Sequence, residues 1–175
     1  MIGLVRCLAV AALLTGLLLP LVSRAADSQA VFGLWAGPTS ILKLYPAANE
    51  SLRGKVVALK EPLFKAGEKG PQGQPVTDVN NPDPKLRALP ILGMDLLAGY
   101  ERNGKKWQGE IYDPESGKTY SSNLRIDRRG DLLIRGYIGA PMFGRTATFV
   151  PVTRCTAEIR EMLRSAQLTG CDSAP

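Results

Sequence analysis

Along residues 118–127 the side chains alternate: Tyr120, Ser122, Leu124 and Ile126 share one face, and Thr119, Ser121, Asn123, Arg125 and Asp127 the other. A period of two is the signature of a strand with one buried and one wet face. Comparable runs predict eight strands, at 31–36, 40–45, 51–60, 92–100, 105–112, 118–127, 131–138 and 145–152. The links Asn103-Gly104, Asp113 to Gly117 and Arg128-Arg129-Gly130 carry the Gly and Asx chemistry of hairpin turns, so neighbouring strands pair antiparallel in chain order. Gly54, Gly99, Gly109 and Gly136 fall inside strands, where glycine weakens a sheet unless it bends sharply or another group comes close. Such glycines suit a curled, closed barrel, with a two-sheet sandwich as the alternative.

Two segments break the alternation. Residues 61–90 hold six prolines and three glycines with hardly any strand signal, a loop far longer than the usual connection of about 4–6 residues. Its second half, Asp78 to Arg87, is rich in Asx-turn and X-Pro chemistry, which predicts an ordered segment across one barrel end, either as a lid or as a structural cap. Near the C-terminus, Ile159, Met162, Leu163 and Ala166 recur with helical spacing behind Thr156, a capping residue, and before Gly170, a stop. That makes residues 153–175 a helix and tail after a barrel domain at 26–152.

Residues 1–25 read as a cleaved secretory signal: Arg6, an apolar stretch from Leu8 to Leu19, then the small-residue site Ser23-Arg24-Ala25. The stretch is too short to span a bilayer, which takes roughly 20 residues, so the mature chain is expected not to span a membrane and to be periplasmic or secreted. Cleavage leaves Cys155 and Cys171, a pair expected to be bridged in an oxidising compartment. A helix running to Leu168 would hold these cysteines too far apart, whereas one ending near Ala166 lets the chain fold back. A short helix with the bridge is therefore expected.

The chain of 175 residues carries 22 basic and 16 acidic side chains and no His. Without imidazole, Ser-His-Asp and Cys-His catalysis and His-ligated zinc are excluded. The modest positive charge is interspersed, which does not make a nucleic-acid surface. Asp113 and Glu115 sit close together but in a turn, where an Asp ordinarily caps backbone. Asp78, Asn80 and Asp83 have a spacing faintly like the start of a calcium loop, yet the glycine and bidentate Glu such a loop needs are missing. Neither a metal nor a cofactor is expected.

Gly33-Leu34-Trp35, Asn81-Pro82-Asp83-Pro84-Lys85-Leu86-Arg87 with Leu92-Gly93, and Trp107 leading into Ile111 to Tyr120 occur in order, followed by Arg135 to Gly139 and Gly144-Arg145-Thr146. Together they resemble the exported bacterial family called domain of unknown function 2147, over roughly residues 31–152. Phe149, where Trp is commoner, and a single Gly109 after Trp107-Gln108, where a Gly pair is usual, depart from its pattern. The resemblance implies a lipocalin-like, or calycin-like, antiparallel barrel with no established activity. It also implies that Gly33 and Trp35 close the barrel base, with the Arg145 guanidinium stacked on the indole.

The leading functional expectation is a non-enzymatic barrel that binds a small hydrophobic or amphipathic molecule. Asn81, Asp83 and Arg87 on the lid and Glu110, Arg135 and Tyr137 on strands are the candidate contacts, surface exposure being the competing reading for the strand residues. The alternative is a filled barrel whose loops contact an envelope protein or cell-wall component. An aromatic content of only 6% leans towards a hollow interior. A carboxylate-dependent hydrolase and a membrane-inserted barrel are the remaining, weaker classes; the strands present Arg53, Lys55, Arg125 and Arg135, which do not suit an apolar outer band.

Overall fold

Each of the eight segments with a two-residue period forms a strand. In the computed structural model, which describes residues 30–171, they are β1 (Gly33–Ala36), β2 (Ser40–Pro46), β3 (Leu52–Leu59), β4 (Asp95–Asn103), β5 (Lys106–Asp113), β6 (Lys118–Ile126), β7 (Leu132–Tyr137) and β8 (Arg145–Pro151). Neighbours pair antiparallel in chain order, and β8 returns to β1 to close a barrel. Residues 1–25, expected to be a cleaved signal, and Cys7 among them lie outside the described residues.

Closure is uneven around the wall. Seven residue pairs join β5 to β6. Only Trp35↔Pro151 and Ala36↔Val150 join β1 to β8, because β1 ends at Ala36 while β8 begins at Arg145. The upper part of β8 therefore has no strand partner on that side. The Phe149 ring covers part of the gap by lying against Gly37, where a Cβ would meet it at 2.6 Å.

The interior is filled rather than hollow over most of its height. Val31, Trp35, Leu42, Leu44, Leu52, Val56, Leu97, Tyr100, Trp107, Leu124, Leu132 and Ile134 are all buried in one cluster. This corrects the leaning drawn from aromatic content, and the strand glycines explain why. A Cβ on Gly54 would stand 2.5 Å from Leu44 and one on Gly109 2.6 Å from the Tyr100 ring, so these glycines make room for larger neighbours. Aliphatic side chains provide the bulk that aromatic rings do not.

A bulge in β4 decides where Tyr100 points. Strict alternation from Leu97 would send Tyr100 to the outer face, but the β4–β5 register shifts between Ala98 and Glu101. Gly99 absorbs the extra residue at φ +60°, a conformation that costs an L side chain roughly 1–2 kcal/mol. Leu97 and Tyr100, three positions apart, consequently both face inward and are fully buried.

The C-terminal helix α1 (Ala157–Ser165) packs on the outside of the barrel, with Ile159, Met162 and Leu163 buried against Ala36, Ile41 and Ala58. Thr156 caps it by accepting from the Ile159 amide at 3.3 Å, and Ala166 ends it. The chain then folds back so that Cys155 and Cys171 form a disulfide with a Cα–Cα distance of 5.4 Å.

Candidate functional site

The loop after β3 is an ordered lid over the end of the barrel where β4 and β6 begin. Ile91 is buried in the lumen cluster and Val76 packs against it, joined by the Ile91 amide donating to the Val76 carbonyl at 3.0 Å. The polar half of the lid latches onto the β5–β6 hairpin. Asp78, fully buried, accepts from the Tyr112 hydroxyl at 2.8 Å and from the Asn81 amide at 2.6 Å. Burial and the hydrogen bond to Asp78 push the Tyr112 phenol up to about 12. Asn80 donates to the carbonyls of Pro114 and Glu115, each at 3.0 Å. Its own carbonyl occupies the place of a side chain at Gly117, whose φ of +66° already favours glycine.

These contacts account for the lid candidates. Asn81 Oδ1 accepts from the Asp83 amide at 2.9 Å, Asp83 caps the turn at Pro84–Leu86 through the Lys85 amide at 2.9 Å, and Arg87 Nε donates to the Asn81 carbonyl at 2.8 Å. These bonds hold the lid in shape, while the terminal guanidinium nitrogens of Arg87 stay outside them. Asp113 is likewise a turn residue, accepting from the Glu115 amide at 3.0 Å and the Ser116 hydroxyl at 2.7 Å. Among the described residues, no three Cys, Asp or Glu side chains gather as metal donors.

The three strand candidates do not face the lumen. Register aligns Ala98, Glu110, Ser121 and Tyr137 across β4–β7, a row on the face opposite the buried Ser122. Arg135 aligns with Asn123 and Thr146 on that same outer face and braces the following loop, donating to the Pro141 and Met142 carbonyls at 2.7 and 3.1 Å. Period two fixes this, since each is one residue removed from an inward neighbour.

Arg145 is also corrected. It pairs with Gly136, whereas Trp35 lies opposite Pro151, six residues or about 20 Å along β8. No stack on the indole is formed at that separation. Trp35 instead donates from Nε1 to the Val31 carbonyl at 2.9 Å, and Phe32 meets Trp107 edge to face at 6.1 Å, so residues just before β1 plug the base. Gly33 permits their approach with a φ of +129°.

What remains open is the upper lumen beside β8. Gly109, Ser122, Gly136 and Arg145 share one inward row, and Ile134 and Ala147 share the next. Arg145 and Ala147 are inward by register and yet exposed, because β1 does not extend far enough to cover them. A Cβ on Gly136 would meet Ile111 and Tyr120 at ordinary contact distances of 3.5 and 3.6 Å, so this glycine, unlike Gly54 and Gly109, has room for a Cβ. In that same row Ser122 is buried opposite Gly136, and its hydroxyl lies within interaction range of the buried Tyr100 hydroxyl. Burial holds the Tyr100 phenol protonated far above its ordinary range.

Sequence reasoning missed Tyr100 and Ser122 as a pair. Gly99 inside a strand was the available signal for the bulge that turns Tyr100 inward. A shallow cleft of about 290 Å³ at the base, lined by Arg102, Lys105, Trp107 and Arg125, is separated from this space by the buried plug.

No curated protein matches the chain. Its fold is similar to a solved structure, protein HP1028 from the human pathogen Helicobacter pylori, described as belonging to the lipocalin family, with a TM-score of 0.54 and 20% identity over 78% of this chain and 88% of that one. The likeness supports a lipocalin-like barrel. The model of the bacterial family described as an uncharacterized protein conserved in bacteria matches residues 33–150, and the chain belongs to that family, domain of unknown function 2147.

Proposed function

We propose that this protein is an exported, non-enzymatic barrel that holds a small hydrophobic or amphipathic molecule in the upper lumen, between the lid and β8. The observation that carries the reading is the inward-facing Arg145 and Ala147 beside Gly136, which the short β1 leaves exposed next to the lumen. A ligand there sets an apolar body against Ile111, Gly136 and Ala147 and a polar group beside Arg145. Such sites combine apolar walls with a few placed polar groups. Because the lower lumen is filled, the ligand is small or extends outward past Arg145. Export rests on the signal-like residues 1–25.

Native mass spectrometry of protein recovered from the periplasm, expressed with its own leader, reads processing, the disulfide and any bound molecule together. Titration with a fluorescent dansyl fatty acid then tests the site. Saturable binding that Gly136→Leu weakens about tenfold or more, a loss of at least 1.4 kcal/mol, with unfolding unchanged, supports the proposal. Equal binding by Gly136→Leu, or none by either protein, sinks this assignment. The second reading, a filled interaction module for an envelope partner, draws on the packed lower lumen and would gain from that outcome.

A further inference from the structure

The large hydrophobic side chains exposed among the described residues all belong to loops at one barrel end, the end of the lid. Leu63, Leu86, Leu89 and Leu92 lie on the lid, and Ile138, Met142 and Phe143 on the β7–β8 loop, where they are 69%, 76% and 79% exposed. Loops with that much bare apolar surface ordinarily fold inward. This one is held out: Arg135 grips the Pro141 and Met142 carbonyls and the Thr146 hydroxyl, while the Phe143 and Gly144 amides close a tight turn on Ala140 and Pro141. The apolar tip is pre-organised, so little ordering entropy is lost when it meets a partner.

Charge narrows the choice of partner. From Leu132 to Pro151 the chain carries Arg135 and Arg145 and no acid, and from Pro84 to Met94 it carries Lys85 and Arg87 and no acid. Of the acids at this end, Glu61 pairs with Lys65, Asp95 with Arg53 and Tyr45, buried Asp78 accepts from Tyr112, and Glu68, Asp83 and Asp113 cap turns, leaving Glu115. The tip sets three exposed apolar side chains beside Arg135, Arg145, Lys85 and Arg87. It matches a fluid anionic interface, where apolar side chains enter the boundary below the headgroups and Arg or Lys stay level with phosphate.

We infer that the β7–β8 loop, with the lid leucines beside it, docks on anionic phospholipid surfaces, inserting Ile138, Met142 and Phe143. The docked barrel would turn its lid end towards the lipid. This does not depend on the lumen holding a ligand.

Flotation with vesicles of phosphatidylglycerol and phosphatidylcholine, against phosphatidylcholine alone, tests the assignment. The wild-type protein is expected to float with the anionic vesicles and to release as salt is raised. Met142→Ser with Phe143→Ser is expected to weaken partitioning about tenfold or more. Both side chains are exposed, so an unchanged thermal transition confirms that the variant is folded. Phe143→Trp should show an emission blue shift on anionic vesicles, above the background of the buried Trp35 and Trp107. Absence of flotation, or equal flotation by the double variant, overturns the inference. So does a wild-type dimer in sedimentation that the double variant converts to monomer, since the tip then belongs to a second copy of the chain.

Discussion

Removing the Asp78 carboxylate should detach the lid, and its cost can be worked from the contacts it makes. Asp78 is fully buried and accepts from Tyr112 at 2.8 Å and Asn81 at 2.6 Å. Tyr112→Phe deletes one hydrogen bond to a charged acceptor and is expected to cost about 1.5–3 kcal/mol. Asp78→Ala loses both bonds and strands the Tyr112 hydroxyl and the Asn81 amide, for about 2–6 kcal/mol at roughly 1–3 kcal/mol for each stranded group. The double variant should cost no more than Asp78→Ala, since phenylalanine leaves no hydroxyl to strand, and the cycle should return a coupling of about 1.5–3 kcal/mol.

Urea unfolding followed by the fluorescence of Trp35 and Trp107 supplies the four free energies, and hydrogen exchange of the Asp78 and Ile91 amides separates lid opening from global unfolding. The pH dependence has a definite sign. The folded Tyr112 pKa is raised from 10.0 to about 12, so its contribution is complete below pH 10 and is lost as pH rises through about 12. Tyr112→Phe should remove that alkaline slope. A coupling below about 0.5 kcal/mol, or additive single variants, would refute the latch, because that is the scatter expected of independent sites.

Replacing Cys155 and Cys171 with Ser should cost about 3 kcal/mol, the value for a closed loop of about 15 residues, and should raise exchange across Ala157–Ser165 before the strands. Gly99→Ala should cost about 1–2 kcal/mol from its φ of +60° alone, whereas Gly136→Ala, with ordinary space around its Cβ, should stay within about 0.5 kcal/mol of wild type. Equal costs at the two glycines would show that the β4 bulge does not require glycine. Acid titration of the turn at Asp127 offers a smaller test. The Asp131 and Arg129 amides, with Arg129 itself, hold its carboxyl below the usual range, so its contribution is present above about pH 4 and fades as pH falls. Asp127→Asn should flatten that slope.

The family motifs gain a physical meaning in the folded chain. Asn80 and Asn81 stand some thirty residues before Pro114 and Glu115, and nothing in either stretch announces the other. Folded, they form one latch, with Asn80 on the Pro114 and Glu115 carbonyls and Asp78 joining Tyr112 to Asn81. Lid residues that read as ligand contacts also hold the lid itself in shape. In the same way, Arg145 reads as a partner of Trp35 until the strand register separates them.

Local chemistry in the sequence determined the strands, their antiparallel order, the long ordered lid and the short capped helix ending in time for Cys155 to reach Cys171. Those features depend on alternation, turn residues and chain reach, all of which act over a few neighbours. Tertiary structure alone decided which face is inside and how full the inside is. One bulge at Gly99 reverses the parity of β4 and buries Tyr100, Leu44 and Leu97 fill the space that Gly54 leaves, and the short β1 exposes Arg145 and Ala147 beside the lumen. Each depends on an inter-strand register, a relation between residues distant in sequence, which no single stretch of the chain contains.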